Sequence, residues 1–196
     1  NRTHVVYDTE FSPDKDSVLK TKIVLYHLDP AGALVTTTNG IELREVTDYT
    51  EEVYDMKIDT ANGAIKYVLT GYTTNVVITK PNSGVYDLED VFTVVLDQDF
   101  LPLWSVGLLA YGFEGKDRGA SIQILPNAYF VTGPCQTNQS PTEFYTRILS
   151  VRMAKTDGIP LNTHLSGDET YEMLGGYSVY DAVNRRITIA ASVASH

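Results

Sequence analysis

The chain has few of the residue types that build disulfides, metal sites or nucleic-acid interfaces. Its 196 residues include one cysteine, one tryptophan, four histidines and 15 basic residues. A single cysteine excludes an intramolecular disulfide and a zinc site built on several thiolates. Acidic residues number 25, which gives a formal net charge of −10. Because this charge repels phosphate backbones and anionic lipid head groups, we expect no nucleic acid and no membrane surface as partners.

Long apolar runs and sustained helical periodicity are also missing. No apolar run approaches the ~18 residues that a membrane-spanning helix needs, so we expect no membrane insertion. Turn signals recur every ~8–12 residues, and short alternating segments such as Val53–Asp59 and Thr146–Ala154 lie between them. This pattern predicts an all-β fold: a single, mostly antiparallel β-sandwich or β-barrel domain over residues 1–196, with long surface loops. The chain begins at Asn1 and not at Met, and we expect it to be an excerpt of a longer chain.

The stretch 100–119 is the one around which the rest is expected to be organised. Leu101–Tyr111 is apolar on both faces and contains the only tryptophan, so it predicts a buried strand with Trp104 as a packing anchor. Val91–Leu96 is also apolar on both faces and predicts a second interior strand. The charged segment Gly112–Gly119 follows, bracketed by glycines, and predicts a loop that reaches the surface.

Five side chains of this loop are the candidate ligand-binding residues. Phe113 would give an apolar contact, and the other four would give polar ones: Glu114, Lys116, Asp117 and Arg118. The 13 tyrosines add rigid, amphipathic rings that suit strand faces and binding surfaces alike. Residues 132–143 predict a second long polar loop, in which Cys135 is a buried small side chain or, alternatively, an intersubunit bridge or reactive thiol.

No pattern indicates a catalytic residue, a metal or a cofactor, so we expect none and interpret the chain as non-enzymatic. The four histidines do not stand at metal-ligand spacing, and no G-x-S-x-G turn is present. One alternative is a carbohydrate hydrolase with two carboxylates, drawn from Asp97, Asp99, Glu114, Asp168, Glu169 and Glu172. Another is a calcium site, drawn from Asp87, Glu89, Asp90, Asp97 and Asp99.

The overall character resembles the protruding or spike domain of a non-enveloped virus capsid, and the astrovirus spike in particular. The likeness rests on short strands rich in tyrosine and threonine, on acidity, and on the two-sided apolar stretches Val91–Leu96 and Trp104–Tyr111. The resemblance implies a homodimeric domain on the virion surface, or otherwise extracellular, that attaches to a host cell-surface receptor or glycan and is bound by antibodies. No residue roles follow from it. An adhesin or appendage subunit is the remaining alternative.

Overall fold

The computed structural model describes residues 2–9, 21–35, 41–42, 51–74, 89–104, 109–111, 115–140, 143–167 and 171–195. Within these ranges every strand pairing is antiparallel, and the one helical element is the 3-10 turn Ala61–Gly63. The strands are β1 (Arg2–Thr9), β2 (Thr21–Leu28), β3 (Ile41–Glu42), β4 (Glu51–Asp59), β5 (Lys66–Thr73), β6 (Asp90–Leu96), β7 (Leu109–Tyr111), β8 (Ser121–Ile124), β9 (Ala128–Ser140), β10 (Glu143–Ala154), β11 (Pro160–Ser166), β12 (Tyr171–Asp181) and β13 (Arg186–Ser195). The predicted all-β, antiparallel fold is confirmed.

The strands form three sheets and a two-stranded ribbon. We call β1-β2-β3 the N-terminal sheet, β4-β5-β6-β7 the central sheet and β11-β10-β9-β8 the long sheet, each in its spatial order. The pair β12-β13 is the C-terminal ribbon. None of the helical turns in the described ranges is long and apolar enough to cross a membrane.

The central sheet is covered on both faces, because its strands carry apolar side chains at consecutive positions. One core cluster joins Val91 and Val95 of β6 to Ile122, Val131 and other residues of the long sheet. A second cluster places Phe92, Val94 and Leu96 of the same strand against Ile23 and Leu25 of the N-terminal sheet. The expected interior strand at Val91–Leu96 is therefore confirmed, and the layers follow each other as N-terminal, central and long sheet.

The C-terminal ribbon lies on the outer face of the long sheet through polar contacts. Gln123 donates a hydrogen bond from Nε2 to the carbonyl oxygen of Ser178 at 2.6 Å, and its Oε1 accepts one from the amide of Tyr180 at 3.3 Å. Thr132 likewise donates to the carbonyl oxygen of Gly176. These side chains hydrogen-bond to the backbone of β12 instead of to water. The strand β12 therefore covers an outer face whose polar sequence suggests that it faces solvent.

The expected core strand Leu101–Tyr111 is wrong for its first part. Leu101 and Leu103 are exposed to 62% and 43%, whereas the last three residues form the strand β7. A turn redirects the chain, because Oδ1 of Asp97 accepts the amides of Asp99 and Leu101, both at 2.9 Å. Trp104 is 3% exposed and is a packing anchor, as predicted. Residues 105–108 lie outside the described ranges.

The loop expected over residues 132–143 is a strand over residues 132–140 instead. Residues 132–140 continue β9, which pairs with β10, and Pro160–Ser166 forms β11 at the edge of the long sheet. The strand β9 contains Pro134, which lacks an amide hydrogen. Its carbonyl oxygen accepts the amide of Arg118 at 3.0 Å, so the missing donor is on the side of the segment 115–120 and costs no hydrogen bond to β10. Cys135 is fully buried, as expected of a small apolar side chain.

Alternation along β4 puts Tyr54, Met56 and Ile58 on one apolar face that would be expected to be buried, but the structure exposes much of it. Tyr54 and Ile58 are exposed to 41% and 49%, while Val53 and Asp59 are buried. A bulge between Val53 and Asp55 shifts the register against β5, and a shift of one residue turns the following side chains to the other face.

Candidate functional site

The segment 115–120 is held between the central and long sheets. Gly119 donates its amide to the carbonyl oxygen of Gly71 at 2.9 Å, and Ala120 donates to that of Thr132 at 2.8 Å. At two points where the segment 115–120 comes close to the neighbouring strands, only glycine fits. A Cβ at Gly133 would lie 1.7 Å from the carbonyl oxygen of Arg118, and one at Gly119 would lie 2.1 Å from Oγ1 of Thr70. The two glycines thus fix the backbone position from which the Arg118 side chain extends.

Arg118 is clamped by a carboxylate and a ring. Its Nε and Nη2 donate to the two oxygens of Glu89, the latter at 2.8 Å, and its guanidinium carbon lies 5.0 Å from the centre of the Tyr72 ring. The hydrogen bond with Glu89 raises the pKa of Arg118, against the opposing effect of burial. Lys116 lies 3.7 Å from Oε1 of Glu89. The guanidinium is therefore fixed in place and its charge is balanced locally.

Two tyrosines and a second carboxylate continue this cluster along β4 and β5. Tyr54 donates from its hydroxyl to Oε2 of Glu52 at 3.2 Å, and its ring centre lies 5.9 Å from that of Tyr72. Burial, with the Glu52 carboxylate, raises the pKa of Tyr54 to about 12 although Arg118 acts against it. Burial and Glu52 also raise the pKa of Tyr72. Both phenols keep their protons at neutral pH. We call Glu89, Arg118, Tyr72 and Tyr54 the pocket cluster.

A shallow pocket of about 230 Å³ opens beside the pocket cluster. It is lined by Tyr54, Arg118, Ala120, Pro134, Gly175 and Tyr177. Tyr177 is 65% exposed and follows two glycines with positive φ, at a bulge between Gly175 and Tyr177. The bulge re-aims the tyrosine, as bulges at binding sites do. Two accessible rings and a fixed guanidinium can stack on a small ligand and donate hydrogen bonds to it.

The structure separates the five candidate residues. Arg118 lines the pocket and Lys116 is exposed beside it. Asp117 is fully buried and accepts the amide of Gln136 at 3.0 Å, so it does not reach the surface. Burial first, and then this carboxylate, raise the pKa of the Cys135 thiol. Phe113 and Glu114 lie outside the described ranges.

Sequence reasoning missed the other residues of the pocket. The bulge in β4 hides Tyr54, whose alternation predicts an inward side chain. Glu89 was weighed only as a calcium ligand, whereas it holds Arg118. For Tyr177 a signal exists, because the pair Gly175-Gly176 inside an alternating segment is typical of a bulge that redirects the next side chain.

A second cluster of charges and rings lies between the central and long sheets. We call it the buried cluster: Asp59, Lys155, Tyr129 and Trp104. Lys155 contacts Oδ2 of Asp59 at 2.8 Å, the Tyr129 hydroxyl donates to the same oxygen at 3.0 Å, and the Trp104 indole donates to the Lys155 carbonyl at 3.3 Å. Burial alone would raise the pKa of Asp59, but the hydrogen bonds from Lys155, Ala61 and Tyr129 outweigh it and hold the pKa below its usual value.

The carboxylates of the calcium alternative do not form a metal-binding group in the described ranges. No group of three or more metal-ligating side chains occurs there. Oδ1 of Asp97 is used by the turn that contains Asp99, and Glu89 is used by Arg118. Asp87, Glu114, Asp168 and Glu169 lie outside those ranges.

The chain was also compared with known proteins. No protein-family model matches it, and no curated protein is significantly similar to it. The pocket and its chemistry are therefore what a functional proposal has to rest on.

Proposed function

We propose that this chain is a non-enzymatic recognition domain that binds a host-cell receptor through the pocket beside the pocket cluster. The observation that carries the proposal is the open pocket in which Tyr54, Tyr177 and Arg118 are all accessible. Large rigid rings give contact area at low cost in conformational entropy, and a clamped guanidinium loses little further entropy when it binds. A domain of this kind fits a surface position, on a virion as a capsid spike or elsewhere outside the cell.

The charge balance of the pocket favours a neutral, hydroxyl-rich ligand such as a sugar ring. Arg118 is already paired with Glu89, and the Tyr54 hydroxyl donates to Glu52, so the site carries little net positive charge. The guanidinium has further N–H donors for hydroxyl oxygens, and Tyr177 gives an exposed ring face. An anionic ligand would instead meet Glu52 and Glu89 behind the rings, in a chain of net charge −10.

No specific observation favours a second function. A two-carboxylate hydrolase needs two acidic side chains that face one cleft, and the described lining of this pocket contains none. Asp97 stabilises a turn, and both oxygens of Glu89 are bonded to Arg118.

The proposal is tested by glycan-array and cell-binding measurements with two tyrosine variants. Tyr177→Ala removes a ring from the pocket, and Tyr171→Ala removes one from the same strand that does not line it. We expect Tyr177→Ala to weaken binding about tenfold, which is about 1.4 kcal/mol, and Tyr171→Ala to leave it within about twofold.

A second variant tests the guanidinium itself. Arg118→Lys keeps the charge but not the two parallel hydrogen bonds to Glu89, so we expect it to weaken ligand binding while the chain remains folded. The proposal fails if the unaltered protein binds no glycan and no cells of several hosts. It also fails if Tyr171→Ala and Tyr177→Ala reduce binding equally.

A further inference from the structure

The outer edge of the C-terminal ribbon is a long strand without the usual protection. In the described ranges β13 is hydrogen-bonded to β12 alone, so its other edge carries unpaired amide and carbonyl groups. Residues 187–195 contain no charged residue and no proline. Exposed edges in soluble proteins normally carry such residues to block pairing with another chain.

Two other edge strands in the described ranges, β4 and β11, show that protection. The edge strand β4 carries five charged residues among its nine, and the edge strand β11 begins with Pro160. The ribbon edge is longer than that of β11, and over residues 187–195 it has neither a charged residue nor a proline. In a chain of net charge −10 it is therefore a surface that a second acidic copy can approach without repulsion.

The two faces of β13 differ in chemistry. Residues opposite one another in the ribbon share a face, so Ile189 lies on the face of Ser178, which packs on the long sheet. Its face continues through Ile187, Ala191 and Val193. Val193 is 58% exposed and the other three are only partly buried, so this apolar face extends past the sheet that it packs on. Part of this apolar face is therefore exposed to solvent in a single copy of the chain.

From these observations we propose that β13 pairs antiparallel with β13 of a second copy of this chain, about a twofold axis at Ala190. An antiparallel edge is self-complementary under a twofold axis, which is the commonest symmetry of homo-oligomers. This axis pairs Ile187 of each copy with Val193 of the other, and Ile189 with Ala191. The apolar faces of the two ribbons then join into one. The proposal does not depend on what the pocket binds.

Charge selects this register. Arg186 of one copy comes to lie opposite Ala194 of the other, and Ala194 has Glu172 on its far side within its own ribbon. Arg186 also has Asp181 opposite it in its own ribbon, so the row on one face is Glu172, Ala194, Arg186 and Asp181. The arginine then lies between two carboxylates, and its side chain reaches Glu172 over the methyl group of Ala194. With the axis moved to Ala191, Arg186 would no longer lie opposite Ala194, and this ion pair would be lost.

The same register places both binding pockets on one face. Tyr177 lies opposite Ala190 in each ribbon, so the row across the joined sheet is Tyr177, Ala190, Ala190 of the partner subunit and Tyr177 of the partner subunit. Three strand spacings separate the two tyrosine positions, a distance of about 14 Å. Two-site attachment to one branched ligand follows from this geometry.

Site-directed crosslinking tests the register. Opposed Cα atoms in an antiparallel pair are about 4.5–5.5 Å apart, which is within the range that a disulfide spans. We expect Ala190→Cys to give a disulfide-linked dimer on mild oxidation. Ala194→Cys, on the same strand and face, is the matched control and stays unlinked, because its two copies are about 27 Å apart. Cys135 is buried and does not interfere.

Sedimentation equilibrium tests the interface. A strand-edge contact buries less than the about 1,200 Å² of a typical stable interface, so we expect a reversible dimer with a micromolar dissociation constant. Val193→Lys buries an ammonium group against Ile187 of the partner subunit and raises that constant about tenfold or more. Val183→Lys, at a position 91% exposed in the hairpin turn, leaves it unchanged.

Charge reversal gives an independent check. Arg186→Glu is expected to weaken the dimer, and the double variant Glu172→Arg, Arg186→Glu to restore it. A monomer at concentrations of about 100 µM overturns the proposal. A dimer that Val193→Lys does not weaken, or equal crosslinking of Ala190→Cys and Ala194→Cys, overturns it as well.

Discussion

The buried cluster and the pocket cluster contain the same kinds of side chain in different surroundings. Each pairs a carboxylate with a cation beside two aromatic rings. Lys155 and Asp59 are exposed to only 15% and 4%, whereas Arg118 is exposed to 38% and borders an open pocket. The first ion pair joins two sheets and has no room for a ligand. The second leaves an oriented cation and a ring at the surface, so similar chemistry stabilises the core in one place and presents a binding surface in the other.

The largest effect is expected in the buried cluster. Asp59→Asn leaves the Lys155 ammonium without its carboxylate in a largely buried position, and we expect a loss of about 3 kcal/mol in the free energy of unfolding. Urea denaturation measures it. The double variant Asp59→Asn, Lys155→Met removes both charges and regains most of the loss. A loss below about 1 kcal/mol in the single variant would mean that this pair resembles a surface ion pair.

In the pocket cluster the corresponding change is milder. Glu89→Gln removes the carboxylate that holds Arg118, but solvent reaches the guanidinium and compensates, so we expect a loss of about 1 kcal/mol. Ligand binding falls together with it, because the guanidinium is no longer fixed. Denaturation and binding measured on the same preparation check both effects. A loss as large as that of Asp59→Asn contradicts the contrast between the clusters.

Acid is expected to weaken the buried cluster. The pKa of Asp59 is lower in the folded chain than its unfolded value of about 3.9. Its contribution to stability is therefore fully present above that value and is lost as the pH falls through the folded pKa. Urea denaturation from neutral to strongly acidic pH is expected to show a decline below about pH 4 that is smaller in Asp59→Asn. Equal declines in both proteins would remove Asp59 as its source.

The smallest effect is a titration with little change in stability. Tyr54 has a pKa of about 12, about two units above that of an ordinary tyrosine. In Tyr54→Phe we expect the ultraviolet titration to lose one phenol at this high pH, while the unfolding free energy changes by about 0.5 kcal/mol or less. If the phenol lost titrates near pH 10, Tyr54 is more open to solvent than the pocket cluster implies.

Much of the strand content could be predicted from the sequence. Alternation and turn signals mark β4, β5, β10 and β13, and the two-sided apolar run identifies β6 as interior. The predictions failed where a polar segment gains partners from distant strands. Residues 132–140 look like a loop, yet β10 supplies the hydrogen bonds that make them a strand. Leu101 and Leu103 look buried, yet the turn at Asp97 turns them outward.

The candidate site was predicted less well for the same reason. Arg118 and Lys116 were singled out because glycines bracket a charged segment, and the structure places Arg118 in the pocket lining and Lys116 beside Glu89. Asp117, between them, points the other way and is buried, since neighbouring residues of an extended segment face opposite sides. Glu89, Tyr54 and Tyr177 join Arg118 only through strand pairing, which no local pattern shows.

The sequence by itself determined the all-β class and the interior strand β6, and it excluded an intramolecular disulfide and a zinc site built on several thiolates, because all of these follow from local periodicity and composition. The tertiary structure alone decided which charges are buried and which are accessible. Asp59 ends the strand β4 and Glu89 directly precedes β6, and nothing in their sequence neighbours distinguishes their roles. Their roles differ because Lys155 closes over one between two sheets, while Arg118 holds the other at the rim of an open pocket.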